Sequence, residues 1–306
     1  MWFKRFTEYV LSSRIVSGVL AFVTSVIPLP GGSLGSLVAV LVTLRKGAYE
    51  GSLIFFAVLA ASVLNYAMGR TSATAQLLLI ATVLTFAVNL LTCLFAVVLE
   101  RTRSWSLIVE LGAMLGIAAL LIVHLVFPEI ASWWATQLTQ VMDQMQSANS
   151  SAAIPDAQLV RADLIAKTSH YMSGFLIASL LSSAWLQVLM GRWWQAIVFN
   201  PGGLRPELHA IRFGRFAGVA LILPLLLLGV WHGFAVDCLP VIVVAFTVAG
   251  LSLIHALVAR LKRGWFILVL VYVSILLTFP LGAIIVALFA LLDIAVNFRG
   301  MLRFKS

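Results

Sequence analysis

The chain has 306 residues, 62% of them hydrophobic and only 10% charged, with a mean hydropathy of +1.08 and a formal net charge of +9. So little polar surface cannot cover a water-soluble globule, which excludes soluble folds and leaves an all-α, polytopic transmembrane helical bundle as the expected class. The positive balance does not indicate a nucleic-acid binder, because the basic residues lie in short loops between apolar runs rather than on one solvated face.

A helix needs about 20 apolar residues to cross about 30 Å of hydrocarbon. The opening MWFKRF and the apolar run behind it superficially look like a signal peptide, but no small-residue cleavage site follows, so an uncleaved anchor is expected. Residues 8–44 are apolar over more than one span's length and are broken at Pro28-Leu29-Pro30-Gly31-Gly32, which predicts a hairpin of two short helices. Full spans are expected near 50–68, 75–99 and 104–127. Residues 128–167 then form a long outer (periplasmic) insertion. In it Ile130, Trp133, Trp134, Leu138, Val141, Met142 and Met145 recur at helical spacing, so Pro128 to Met145 reads as an amphipathic helix on the outer surface. Gln146 to Pro155 reads as a loop, and Asp156 as the cap of a second short helix ending at Lys167. This insertion suits either a lid over an outward-facing cavity or an interfacial shield for the bundle. Further spans are expected near 168–190, 213–231 and 236–259. The last apolar stretch, 264–298, is broken at Phe279-Pro280-Leu281-Gly282 and predicts a second hairpin. A single integral membrane domain over 1–306, with eight to ten membrane segments, follows.

Between two of these spans lies a polar, basic island, Arg192 to Arg215, RWWQAIVFNPGGLRPELHAIRFGR. Trp193 and Trp194 beside Arg192 are the combination expected where a helix meets headgroups. Asn200-Pro201-Gly202-Gly203 is a turn, since proline presets φ and the glycines tolerate positive φ. Glu207, His209, Arg212 and Arg215 are expected on a short charged helix leading back into the membrane. With the N-terminus and the 191–215 loop on the cytoplasmic side, 17 of the 20 Lys and Arg residues fall inside, and only Arg70, Arg161 and Lys167 outside. That bias sets the expected orientation, with both termini cytoplasmic.

Ionisable groups within spans cost about 2.5–3.5 kcal/mol near the bilayer centre, so each needs a partner or a watery cavity. Glu110 lies nearly two turns into its span with no basic residue one turn away on that helix, and His124 lies near the outer end of the same span. His255 precedes Arg260, and Asn65, Asn89 and Gln187 add polar groups at or near membrane depth. Pro/Gly-interrupted segments in corresponding halves line substrate sites in secondary transporters. Glu110, His124, Asn89, Pro28 and Pro280 are therefore the candidate solute-binding residues. The histidines also fit satisfied core positions, and the hairpins also fit ordinary outer turns. Asp293 is expected either to pair with Arg299 or to cap backbone groups near the interface, and Gly112/Gly116 and Gly214/Gly218 have the spacing that lets helices pack closely. Cys93 and Cys238 fall in or at the edge of apolar segments and suggest neither a disulfide nor a metal site. No catalytic motif is present; Ser173-Gly174 near His170 is too common a pattern to count, so neither an enzyme nor a cofactor is expected.

The run Gly191 to Arg212, GRWWQAIVFNPGGLRPELHAIR, resembles the corresponding segment of the YybS-like family of uncharacterised bacterial inner-membrane proteins. Ile27-Pro28-Leu29-Pro30 with Leu44-Arg45-Lys46-Gly47, and Phe279-Pro280 with Asp293 and Phe298-Arg299, are similar to its two ends. The resemblance implies a multi-pass protein of the bacterial inner membrane. It also implies a distant similarity to the substrate-binding subunits of energy-coupling-factor importers, and hence capture of a small solute. The leading expectation is a transport-related membrane protein that binds a small solute within the bundle. The alternatives are a membrane scaffold that docks a cytoplasmic protein partner through Arg192, Trp193, Trp194, Asn200, Pro201, Gly202, Gly203, Glu207, His209 and Arg212, and, as a minor reading, an intramembrane enzyme.

Overall fold

The computed structural model describes residues 2–27, 31–69, 75–149, 155–261 and 264–301. Every regular element among them is helical. In chain order these are α1 (Trp2–Val10), α2 (Arg14–Val26), α3 (Gly31–Lys46), α4 (Ala48–Gly69), α5 (Ala75–Thr102), α6 (Trp105–Val126), α7 (Ile130–Asn149), α8 (Pro155–Ser169) and α9 (Met172–Phe199). After these come α10 (Leu204–His209), α11 (Arg215–Ile222), a 3-10 segment (Leu223–Gly229), α12 (His232–Val258), α13 (Gly264–Leu277), α14 (Leu281–Val296) and α15 (Phe298–Met301).

Local chemistry sets several of these boundaries. Ser13 caps α2, its side chain accepting from the Val16 amide at 3.2 Å. Gly47 ends α3 with φ +96°, a conformation that favours glycine, and lets α4 start one residue later. Asn297 ends α14 in the left-handed region, its amide donating to the Asp293 carbonyl at 3.0 Å.

Five described helices, α4, α5 from Leu78, α6, α9 and α12, are long and apolar enough to cross a membrane. α1 and α2 would make a sixth if taken together, although the chain bends by 103° between them. Large apolar side chains such as Ile15, Phe216 and Leu276 are exposed, while Thr7, Ser36, Asn89, Asp237 and Asp293 are buried. That inversion is what lipid-facing helices require, and the chain is a membrane-embedded helical protein.

The expected eight to ten segments are not reached. The apolar stretch at 213–231 is not one helix: α11 stops after 8 residues, and Pro224 lies in the tighter 3-10 turn that follows. The arms of the two hairpins have 13, 16, 14 and 16 residues. At 1.5 Å per residue they reach about 20–24 Å, short of about 30 Å of hydrocarbon. Two local expectations also shift. α9 runs unbroken through Arg192, Trp193 and Trp194 to Phe199, and the short helix after the turn ends at His209, leaving Arg212 in a non-helical link and Arg215 at the start of α11. α8 begins at Pro155 rather than after an Asp156 cap, because proline suits a first helical position, where its missing N–H is not needed.

The chain divides into two compact units, the first comprising Met1–Gly112, Leu180–Arg212 and Ser252–Gly264, the second Ala113–Ser179, Phe213–Leu251 and Trp265–Ser306. In the first, α2, α3, α4 and α5 pack on one another through small residues. A Cβ on Gly35 would stand 2.5 Å from the Ala21 carbonyl, and one on Gly191 would stand 2.5 Å from Val40. Phe95 and Trp185 stack at 6.3 Å between centroids beneath Gly112. In the second, α12 and α14 approach so closely that a Cβ on Gly250 would lie 2.1 Å from the Val286 carbonyl, and Thr247 Oγ1 donates to the Ala283 carbonyl at 3.0 Å. Arg161 on α8 reaches back to α7, donating to Asp143 at 2.6 Å and Gln146 at 3.0 Å. The apolar stripe expected on α7 stays largely uncovered by protein, with Trp133, Val141 and Met145 exposed.

Candidate functional site

The first unit contains an open cavity of about 600 Å³ among α2, α3, α4, α5 and α9. Its polar lining is neutral: Ser25 from α2, Ser62 and Asn65 from α4, Thr85 and Asn89 from α5, and Gln187 from α9 are set among three leucines, Ile27, Ala81 and Val88. The three carboxamides that stood out in the sequence as polar groups in apolar runs, Asn65, Asn89 and Gln187, therefore converge on one space.

Their hydrogen bonds decide what they can still offer. Asn89 is buried and its Oδ1 accepts from the Ser36 hydroxyl, while Gln187 Oε1 accepts from Thr92 Oγ1 at 3.1 Å. With both carbonyl oxygens engaged by hydroxyls, these side chains have their NH2 groups to present as donors. Asn65 Nδ2 donates to the Ser25 carbonyl at 3.2 Å, which ties α4 to the end of α2. Ser25 is 3% exposed, and its hydroxyl has no hydrogen-bond partner among the described residues. A buried polar group left in that state costs about 1–3 kcal/mol.

Of the other candidate solute-binding residues, Glu110 is half-buried on α6 in the first unit and does not line this cavity. His124 belongs to the second unit, Pro280 is exposed there at the start of α14, and Pro28 lies outside the described residues.

The Arg192 to Arg212 motif closes one end of the first unit. Arg192 is buried; its Nε donates to Glu207 Oε2 at 3.1 Å, Nη2 to Glu207 Oε1, and Nη1 to Gln195 Oε1 at 2.9 Å. Glu207 also accepts from Trp105 Nε1 at 3.2 Å, and Gln195 donates to the Leu44 carbonyl at 3.0 Å. Trp194 Nε1 donates to Thr7 at 2.9 Å, the Arg212 amide donates to Ser106 at 3.0 Å, and the His209 ring meets that of His255 at 6.2 Å. The motif thereby ties together α1, the end of α3, the start of α6 and the end of α9. Of the residues expected to dock a partner, Trp193, Asn200, Pro201 and Gly202 are exposed; Gly203, half-buried, packs against Asn200.

In the second unit His124 has a partner far away in the sequence. Its Nε2 lies 3.1 Å from Asp237 Oδ2, with side-chain exposures of 6% and 3%. Asp237 Oδ1 accepts from the Gly174 amide at 2.6 Å, and Ser173 accepts from Trp134 Nε1 at 2.9 Å. An aspartate inside an apolar run was the available signal, but it sits so near the start of its span that it reads as an interfacial residue. At the far end of this unit Arg299 Nε lies 3.3 Å from the buried Asp293 carboxylate. Among the described residues no group of three or more His, Cys, Asp or Glu side chains is arranged to hold a metal ion.

Comparison of the chain with protein-family profiles, with curated proteins and with solved structures found no match.

Proposed function

We propose that this membrane-embedded chain is a transport-related protein that binds a small, uncharged, hydrogen-bonding solute in the cavity of its first unit. The observation that carries the reading is the lining. About 600 Å³ falls within the range of small-molecule sites, about 300–1,000 Å³, which combine apolar walls with a few convergent polar groups. Carboxamides and hydroxyls within apolar helices are expensive to keep unless something bonds to them. Donors from Asn89 and Gln187, with no ionised side chain among the described lining residues, suit a ligand rich in hydroxyl or carbonyl oxygens and select against ions.

The proposed orientation keeps the Arg192–Arg215 turn cytoplasmic. In its support, Arg45 lies over the Phe199 ring at 4.0 Å, Arg14 pairs with Glu50, and Arg192 pairs with Glu207, so basic residues distant in sequence gather where the ends of α3 and α9 meet. Similarity to the YybS-like family and location in a bacterial inner membrane belong to the same proposal.

The test is a thermal-shift panel on the purified protein, with neutral polyols, sugars and amides set against carboxylates and amines. Stabilisation by a neutral compound that is lost in Asn89→Leu supports the reading. A melting temperature unmoved by every neutral compound sinks it.

A further inference from the structure

We infer that the angle between α1 and α2 is a binding site for one anionic phospholipid, its acyl chain lying along α2 and its headgroup phosphate met by Arg5 and Lys4. Both helices belong to the first unit, and the chain bends by 103° between them. In the angle runs an open groove of about 390 Å³, walled by Phe6, Tyr9 and Val10 of α1 and, on α2, chiefly by Ile15, Val19 and Val23. It shares no lining residue with the solute cavity, so either site can stand without the other. Apart from the Tyr9 hydroxyl, no described lining residue has a polar side-chain atom. A bound water needs about 2–4 polar partners, so the groove suits an apolar occupant.

The bend is fixed by named contacts. The Ser17 hydroxyl donates to the Val10 carbonyl at 2.6 Å, and Thr7 accepts from Trp194 Nε1 at 2.9 Å. Phe6 stacks on Trp194 at 6.2 Å and on Trp2 at 5.7 Å between centroids. With α1 held on α9 in this way, an occupant does not have to order it.

Depth and charge identify the occupant. Arg14, at the head of α2, pairs with Glu50, and exposed Ile15, Val19 and Val23 follow at four-residue spacing with no charged residue among them. From Ile15 to Val23 the helix advances about 12 Å at 1.5 Å per residue, close to half of about 30 Å of hydrocarbon. That is the reach of a lipid chain within one leaflet. α1, turned across the top of this stripe, exposes Lys4, Arg5 and Glu8, and it carries Trp2 and Tyr9, aromatic residues of the kind that sit at headgroup level. Glu8 offsets Lys4 at 4.0 Å and Glu50 offsets Arg14, whereas no acidic side chain pairs with Arg5 among the described residues. Arg5 lies one turn before Tyr9 on the same side of α1, which sets its uncompensated charge at the polar edge of the groove. An anionic headgroup complements that charge, while a zwitterionic one brings a cation of its own to the same place.

The experiment reconstitutes the full chain in phosphatidylcholine nanodiscs containing a small fraction of a lipid with a photoreactive diazirine in its acyl chain. The photoreactive lipid is either phosphatidylglycerol or phosphatidylcholine, and labelling is mapped by mass spectrometry. One uncompensated basic residue favours an anionic lipid about fivefold, so labelling within residues 15–23 should be about that much stronger from phosphatidylglycerol. Arg5→Gln should bring the two lipids to within about twofold, with labelling by the neutral lipid unchanged. Val19→Trp, which fills the groove, should remove labelling by both. Equal labelling of the unmodified protein by the two lipids, or none within 15–23, overturns the inference without recourse to any variant. So does a preference that survives Arg5→Gln, or labelling that persists in Val19→Trp. A dimer on native mass spectrometry whose interface protects 15–23 would assign the groove to a second copy of the chain and overturn it as well.

Discussion

The cavity region of the first unit and the His124–Asp237 region of the second solve the same problem in opposite ways. Both place polar groups among apolar helices, where an unsatisfied group is costly. The first uses neutral groups and leaves hydrogen-bonding capacity unspent: the Ser25 hydroxyl has no partner among the described residues, and Asn89 and Gln187 keep donors beside about 600 Å³ of open space. The second uses ionisable groups and seals them, with the Gly174 amide and His124 both directed at one carboxylate. Open neutral capacity is what a solute site needs. A buried pair whose polar atoms are already bonded leaves a solute little to reach.

The sharpest way to break this contrast is to remove one member of the sealed network. Asp237→Ala strands the Gly174 amide and the imidazole in a buried site, and a loss of about 3–5 kcal/mol is expected on denaturant unfolding in detergent. A change below about 1 kcal/mol would mean that the carboxylate is not the centre of the network. Next in size is Glu207→Gln, which removes the charge opposite the buried Arg192 guanidinium and should cost about 2 kcal/mol. Its effect should lie in the first unit, which contains both residues.

Smaller again are the glycine contacts. Gly250→Ala would drive a methyl against the Val286 carbonyl, and Gly35→Ala one against the Ala21 carbonyl, each costing about 1–3 kcal/mol by melting temperature. Only Gly35→Ala, beside Ser25, should also weaken binding of a neutral solute. The smallest expected change in stability is that of Asn89→Leu, about 1 kcal/mol or less. This variant should nonetheless abolish any ligand-induced thermal shift. If it proves as damaging as Asp237→Ala, Asn89 is a structural group and the contrast between the two regions fails.

Much of the helical frame could be read along the chain. The spans now seen as α4, α6 and α12 fall within a few residues of the expected positions, since a long apolar run bounded by charge has few other solutions. Asn89 was visible as a carboxamide in such a run. The ends of helices were harder. Arg192, Trp193 and Trp194 looked like a membrane exit, yet α9 continues past them, because the guanidinium is satisfied inside the protein by Glu207 and Gln195 rather than by water. The short hairpin arms have the composition of crossings, and apolar composition does not reveal where a helix stops.

Hydropathy and charge along the chain were enough to determine that this protein is helical and membrane-embedded, because leaving water depends on what each stretch is made of. Which polar groups meet was decided only by the fold. Ser36 finds Asn89 across 53 residues and His124 finds Asp237 across 113, and such pairings depend on how each helix is rotated about its axis and how far it slides along its neighbours. A side chain's chemistry states what partner it needs. Only packing in three dimensions brings that partner within 3 Å or so, and with it the division between an open neutral cavity and a closed charged pair.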